Sequence, residues 1–116
     1  MGNVTIYHNP RCSKSRETLE LLKANSIEPE IRLYLEDPPS ADELKSVLAM
    51  LKISPRELVR TSEEEYQNQG LADPNLDDDS LVNAMVNTPR LIQRPIVISD
   101  GRAAIGRPPE QVLEIL

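Results

Sequence analysis

Cysteine and histidine are nearly absent from this sequence, which contains one of each. A single cysteine cannot form an internal disulfide bond, and one cysteine with one histidine cannot supply the four ligands of a structural zinc site. We therefore expect no metal site in this chain. Disulfide-free use of cysteine is typical of a reducing compartment, so the expected location is the cytoplasm.

Basic residues are fewer than acidic ones, with 13 Lys and Arg against 19 Asp and Glu. The formal net charge is −6 at pH 7, and the isoelectric point is about 4.8. An excess of negative charge repels a phosphate backbone at long range. The composition therefore argues against a nucleic-acid partner.

Long apolar runs are also missing, and none approaches the roughly 18–20 residues that cross a bilayer. The first six residues have neither the basic region nor the apolar core of a secretory signal peptide. We therefore expect no membrane partner. No long apolar helix face is left unexplained, which favours a monomer.

Aromatic residues are scarce, with three Tyr and no Phe or Trp, so the core must be aliphatic. A length of 116 residues fits one domain, which we place over residues 1–116. Ten prolines predict short elements separated by fixed turns.

The order of predicted elements indicates an α/β fold with a mixed sheet. A strand at residues 3–7, a helix at 13–25 and a strand at 30–34 form a β-α-β unit, whose two strands should be parallel. Strands at 96–98 and 103–105, joined by a tight Asp100-Gly101 turn, and a last helix at 110–116 form a β-β-α unit.

The segment between these two units predicts short helices. Its start signals are the capping boxes at residues 40–43 and 54–57, and the acidic run at residues 77–79 before an apolar helical pattern. We therefore expect a helical insertion between the two halves of the fold.

Cys12 is the most informative residue, because it lies where the first strand ends and the first helix begins. A helix N-terminus presents unpaired N–H groups and partial positive charge, which favour the thiolate and bind anions. Arg11, Lys14 and Arg16 add positive charge nearby. The alternative is a small buried hydrophobe, but such a residue needs neither the helix N-terminus nor the basic neighbours.

Two kinds of cysteine chemistry fail on spacing. A phosphatase loop needs Arg six residues after the cysteine, where this chain has Thr18. A dithiol oxidoreductase needs a second cysteine where this chain has Ser15. Any redox cycle at Cys12 must therefore use thiols from outside the chain.

Four further side chains are candidates. His8, four residues before Cys12, could favour the thiolate as a cation or through a hydrogen bond, or could cap backbone groups at the strand end. Arg60, Arg94 and Arg107 could recognise an anion with planar donors, or could be ordinary surface charges. Spacing alone does not show that the three arginines converge.

The chain resembles the ArsC family of glutaredoxin-coupled arsenate reductases, in particular its shorter members. The resemblance lies in residues 6–16 (Ile-Tyr-His-Asn-Pro-Arg-Cys-Ser-Lys-Ser-Arg), 34–36, 38–39, 60, 87–89, 92–97 and 107–108. It covers nearly the whole domain, and the combination of Cys12 with three arginines in matching contexts makes it specific.

The resemblance implies a thioredoxin-like fold with the helical insertion at about residues 38–90. It implies that Cys12 is the nucleophile, that Arg60, Arg94 and Arg107 bind the oxyanion, and that His8 and Ser15 tune Cys12. It gives supporting roles to Arg16, which shapes the loop, and to Pro95, which it expects to be a cis proline.

The activity implied by the resemblance is reduction of arsenate, or a similar oxyanion, to arsenite. No cofactor is bound, glutathione is the co-substrate, and glutaredoxin is the protein partner. Two other functions on the same fold are a redox regulator similar to the Spx-type transcription factors and a glutathione-dependent thiol transferase. The regulators commonly carry Cys-x-x-Cys and do not need the arginine set, whereas this chain has Ser15 and all three arginines.

Overall fold

Four short strands form one mixed sheet in the computed structural model, which describes residues 3–116. The strands are β1 (Val4–Tyr7), β2 (Glu30–Arg32), β3 (Ile96–Ser99) and β4 (Arg102–Ile105), and their order across the sheet is β2-β1-β3-β4. Met1 and Gly2, which belong to the segment that lacks signal-peptide features, lie outside the described residues.

The β-α-β unit is present as predicted. Strands β1 and β2 pair in parallel, and helix α1 (Ser13–Ala24) connects them. The helix ends where the sequence indicated, because Asn25 closes it: its backbone N–H and its side-chain Nδ2 both donate to the carbonyl of Leu21.

Strand β2 is shorter than predicted and ends at Arg32 instead of residue 34. The carbonyl of Leu33 accepts the backbone N–H groups of Glu36 and Asp37, at 2.9 Å each. These bonds turn the chain away from the sheet, so the predicted strand at residues 30–34 was two residues too long.

The second half contains the predicted hairpin. Strand β3 pairs antiparallel with both β1 and β4, and Asp100 and Gly101 form the turn with φ angles of 49° and 78°. Positive φ at both central residues matches the right-handed twist of a two-residue hairpin, which is why Asp-Gly favours this turn. The β-α-β and β-β halves thus complete a thioredoxin-like α/β fold, as the resemblance predicts.

The last helix differs in type from the prediction. Residues Pro109–Ile115 form a 3₁₀ helix instead of an α-helix at 110–116. Its first turn closes with a bond from the N–H of Gln111 to the carbonyl of Pro108, three residues back. The N–H of Leu116 bonds in the same way to the carbonyl of Leu113, and i→i+3 bonds of this kind are typical of short helical segments.

An aliphatic cluster joins these elements. Ile6 of β1, Leu22 of α1, Val97 of β3 and Val112 of the 3₁₀ helix are fully buried against one another. Because the cluster holds α1 against the sheet, it also sets where the N-terminus of that helix lies.

The chain forms two compact units. One comprises the described residues up to Asp37 together with Arg94–Leu116, and the other is Pro38–Gln93. The assignment of all 116 residues to one domain, with an insertion at about residues 38–90, stays a prediction.

The second unit is helical, as expected. It contains α2 (Ala41–Leu51), α3 (Pro55–Leu58), α4 (Glu64–Asn68), α5 (Asp78–Asn87) and a 3₁₀ turn, Pro89–Leu91. Helix α5 packs against α2, α3 and the 3₁₀ turn.

Three of these helices, α2, α3 and α5, begin at the predicted signals. Ser40 and Glu43 form the reciprocal capping box of α2, and the Asp77 side chain accepts the N–H of Ser80 at the start of α5. No single signal predicted α4.

Every helix within residues 3–116 is too short or too polar to cross a bilayer.

The aliphatic cluster should dominate the stability of the first unit. We expect Leu22→Ala to lower the free energy of unfolding by about 3 kcal/mol, because it removes buried methyl groups and leaves a cavity. The same truncation at Leu116, whose surface is 42% exposed, should cost less than about 1 kcal/mol. Urea denaturation followed by circular dichroism measures both, and equal losses would contradict the role of the cluster.

Candidate functional site

The loop between β1 and α1 holds Cys12 at the start of the helix. The Asn9 carbonyl accepts the N–H of Cys12, and the Asn9 side chain accepts the N–H of Arg11, both at 3.0 Å. Cys12 has extended backbone angles and is the N-cap of the 12-residue helix α1. The thiol therefore stands where the backbone N–H groups of the first helical turn are available to an anion.

Arg107 lies beside the thiol. Its Nη2 is 3.7 Å from the Cys12 Sγ, and its Nε donates to the carbonyl of Arg94 at 2.8 Å. Cys12 is 8% exposed. At this distance the guanidinium donates a long hydrogen bond to the mostly buried sulfur.

Both arginine–proline pairs have cis peptide bonds. The cis bond before Pro95 was expected, whereas the one between Arg107 and Pro108 was not. The N–H of Gly106 donates to the carbonyl of Pro95 at 3.0 Å. This bond and the one between Arg107 and Arg94 tie the segments at 94–95 and 106–107 together.

Position 106 requires a glycine because a side chain there would clash with its neighbours. A Cβ atom at this position would lie 2.5 Å from Thr18 Oγ1 and 2.8 Å from Pro95 Cγ. Thr18 is held in turn, because its hydroxyl donates to the carbonyl of Lys14. The absence of a side chain at Gly106 thus lets the Arg107 segment approach helix α1 and Pro95 closely.

His8 and Ser15 form a buried pair next to the loop. The His8 Nδ1 is 2.6 Å from the Ser15 Oγ, which also accepts the N–H of Asn9 at 3.0 Å. His8 is 6% exposed and Ser15 is fully buried. The pair connects the end of β1 to the first turn of α1, on either side of Cys12 in the chain.

Burial holds the pKa of His8 below its ordinary value of 6.5, and the positive charges of Arg16 and Lys23 lower it further. At neutral pH the imidazole is therefore mostly neutral. Of the two ways in which His8 could act on Cys12, this favours the hydrogen-bonding form over the cation.

Two basic residues that follow Cys12 in the sequence make different kinds of contact. Arg16 donates from Nη1 to the carbonyl of Pro10 at 2.9 Å and so links the helix to the loop. Lys14 pairs with Glu17 at 3.5 Å on the surface. The Arg16 contact is of the loop-shaping kind that the resemblance implies.

Arg60 lies in the other compact unit. Its Nη1 donates to the Glu63 Oε1, and Glu63 also lies 3.5 Å from Arg90. The first unit thus brings Cys12 and Arg107 into direct contact and bonds Arg107 to Arg94. The inclusion of Arg60 in the same oxyanion site stays a prediction.

Within residues 3–116, no group of three or more His, Cys, Asp or Glu side chains is arranged to hold a metal ion.

Comparisons with known proteins agree with this geometry. The sequence model of the ArsC family matches residues 7–115. The chain belongs to the ArsC family. The match begins at the last residue of β1 and ends with the 3₁₀ helix, so both halves of the ArsC fold are covered.

Three relatives of this ArsC-family chain cover nearly its whole length. The uncharacterized protein YfgD of Escherichia coli (strain K12) is 57% identical over 97% of this chain and 96% of its own. An arsenate reductase of Neisseria meningitidis serogroup A is 44% identical, and the match spans both chains completely. The solved structure of an arsenate reductase from Vibrio cholerae has a TM-score of 0.97 at 52% identity, over 98% of each chain.

Sequence reasoning missed two residues that contact predicted site residues, one in each compact unit. Asn9 orders the loop through its carbonyl and side chain, and an Asn-Pro pair before a helix is a signal for such a turn. Glu63 was missed because nothing marked its pairing with Arg60; only the three-residue spacing, which is common for helical ion pairs, could have suggested it.

The Arg107 contact should control the reactivity of the thiol. We expect Arg107→Gln to slow alkylation of Cys12 by iodoacetamide at pH 7 about three- to tenfold, because it removes the cation that contacts the nucleophilic sulfur. Mass spectrometry reports the reaction without ambiguity, since the chain has one cysteine. Arg102→Gln, an exposed arginine of the same unit, is the matched control, and equal rates in the two variants would contradict the assignment.

The single histidine permits a direct pH test. The Hε1 signal of His8 in NMR should titrate below pH 6.5 in the folded chain and near 6.5 in urea. Between these values the unfolded chain binds more protons than the folded one, so acidification through this window lowers the stability of the fold.

Arg16→Gln should move the folded titration back towards 6.5, and Lys23→Gln should move it less, in the order of their effects on His8. A folded titration at or above 6.5 would show that His8 is not desolvated.

Proposed function

We propose that this protein reduces arsenate to arsenite through the thiolate of Cys12, with glutathione and glutaredoxin as the external reductants. The observation that carries the proposal is the lone cysteine at the N-terminus of α1 with Arg107 Nη2 at 3.7 Å from its sulfur. The relatives named arsenate reductases support it, because one of them matches this chain from end to end.

In the proposed site, arginines bind the oxyanion. Arg107 and Arg94 are joined through a hydrogen bond, and planar guanidinium groups suit the oxygens of a tetrahedral anion. Arg60 is the third oxyanion ligand that the family resemblance assigns. The same donors would disperse the charge that develops on the oxygens in the transition state.

The first chemical step is attack of the Cys12 thiolate on arsenic. A sulfur–arsenic bond forms, and one protonated oxygen leaves as water, so arsenic stays As(V) in the covalent adduct. His8 and Ser15 act on this step by tuning Cys12. A neutral His8 hydrogen-bonded to Ser15 would hold that hydroxyl in place next to the turn that carries the thiol.

The second step transfers the electrons. The glutathione thiolate attacks the Cys12 sulfur, the sulfur–arsenic bond breaks, and its electron pair stays on arsenic, which leaves as arsenite, As(III). The product on the protein is a disulfide between Cys12 and glutathione. Glutaredoxin then attacks the glutathione sulfur and restores the Cys12 thiolate, so two thiols are oxidised to a disulfide for each arsenic reduced.

The single cysteine agrees with this cycle, because a chain without a second thiol needs an outside one for every turnover. The proposal therefore places the protein in the cytoplasm, where reduced glutathione is present, and has it act as a monomer with no bound cofactor. Glutathione and glutaredoxin are its only redox partners.

The decisive experiment is arsenate-dependent NADPH oxidation in the presence of glutathione, glutaredoxin and glutathione reductase. We expect turnover by the wild-type chain and none above background by Cys12→Ser. Arg94→Gln should lower kcat/KM about a hundredfold, because it removes a charged donor from the developing oxyanion. Arg102→Gln is the charge-matched control and should keep wild-type activity.

Failure of the wild-type chain to turn over, with Cys12 reduced and the protein folded, would remove arsenate as the substrate. Competition by sulfate separates the remaining possibilities. A tetrahedral dianion should inhibit an oxyanion reductase, whereas a glutathione-dependent thiol transferase would be indifferent to it.

A further inference from the structure

The Arg60 guanidinium already forms an ion pair with a carboxylate of the same chain. The Arg60 Nη1 donates to the Glu63 Oε1, and the two side chains are only 17% and 18% exposed. An ion pair shielded to this degree interacts more strongly than an exposed one, because less water and salt screen it. Any anion that binds Arg60 must compete with this internal carboxylate.

The backbone keeps both partners in place. The N–H of Arg60 donates to the carbonyl of Leu91 at 2.7 Å, and the neighbouring Val59 forms a β-bridge with Ile92. Glu63 is the N-cap of α4 and accepts the N–H of Tyr66 on its carbonyl. The pair therefore joins two anchored segments.

Glu63 has a second partner. Its Oε2 is 3.5 Å from Arg90 Nη2, and Arg90 Nη1 is 3.1 Å from the Oε2 of Glu65. Glu63 would therefore stay paired after losing Arg60, and release of Arg60 leaves no buried carboxylate without a cation. This lowers the cost of the exchange.

We propose that Glu63 is a built-in competitor for Arg60, which a tetrahedral oxyanion displaces when it binds, while Arg90 retains the released carboxylate. Glu63 is thus a positioning residue that sets the anion concentration at which the site fills. The inference rests on the proposed function in one respect, namely that Arg60 is an oxyanion ligand.

Substitutions of Glu63 and of Arg90 should have opposite effects on anion affinity. Removal of the competing charge in Glu63→Gln should tighten anion binding. Removal of the acceptor cation in Arg90→Gln should weaken it, because displacement would then leave Glu63 without its second partner. A purely structural ion pair would change the stability of the fold in both variants and leave anion affinity unchanged.

The probe is sodium sulfate, an unreactive tetrahedral dianion, titrated calorimetrically into the reduced full-length chain at constant ionic strength. We expect Glu63→Gln to lower the sulfate Kd about three- to tenfold and Arg90→Gln to raise it about two- to threefold, as fits partly screened ion pairs. When Glu63→Gln is already present, adding Arg90→Gln should raise the sulfate Kd only as much as the loss of a distant positive charge would.

Glu64→Gln is the matched control, since it removes the same charge from the next residue, which is exposed. It should change the sulfate Kd by less than about twofold. In an Arg60→Gln background, Glu63→Gln should change the sulfate Kd no more than Glu64→Gln does, because Glu63 then has no Arg60 guanidinium to pair with.

The kinetic counterpart is a lower KM for arsenate in Glu63→Gln with kcat nearly unchanged, because the carboxylate is displaced on binding and not in the chemical step. Sulfate binding that depends on Arg60 but is equal in Glu63→Gln and Glu64→Gln would overturn the inference and leave the proposed function intact.

Two other outcomes are distinct from that one. Binding that is unaffected by Arg60→Gln would remove Arg60 from the oxyanion site and the inference with it. If neither the wild-type chain nor Glu63→Gln binds sulfate or arsenate, both the inference and the proposed function are overturned.

Discussion

The hydrogen bond from the Arg107 guanidinium to the carbonyl of Arg94 is the contact on which the candidate site depends. The bond uses the Nε–H of the guanidinium to join two segments of the chain and leaves Nη2 beside the Cys12 sulfur. The bond is possible because Gly106, which has no side chain, lets its own N–H reach the carbonyl of Pro95. A larger residue there would push the Arg107 segment away from helix α1.

The arginines of the two compact units have different kinds of partner. Arg107 contacts the Cys12 thiol, and backbone carbonyl partners hold Arg107 and Arg16 without neutralising them. Arg60 instead faces a carboxylate, and Arg90 faces two. In a chain with a net charge of −6, pairing with backbone carbonyls preserves local positive charge for an anion, whereas pairing with Glu63 withholds it.

Much of the site could be predicted because it is local in the chain. The strand, turn and helix around Cys12 follow from β-branched residues, an Asn-Pro turn and a helical pattern within 25 residues, and the Asp-Gly hairpin needs only two. Strand β2 and the last helix were less predictable, since the Leu33 turn and the 3₁₀ bonding of residues 109–115 depend on which backbone groups find partners.

The placement of a single thiol at the start of a helix could be predicted from the residues alone, because it depends on residue type and on neighbours a few positions away. Which charged side chains come into contact could not be predicted in this way, because it depends on the folded arrangement of distant segments. Arg107 reaches Cys12 across 95 residues of chain, and Glu63 pairs with Arg60 where the chain turns into α4. Electrostatic contacts act over a few ångströms, and such distances are set by how the core packs the elements together and not by spacing in the sequence.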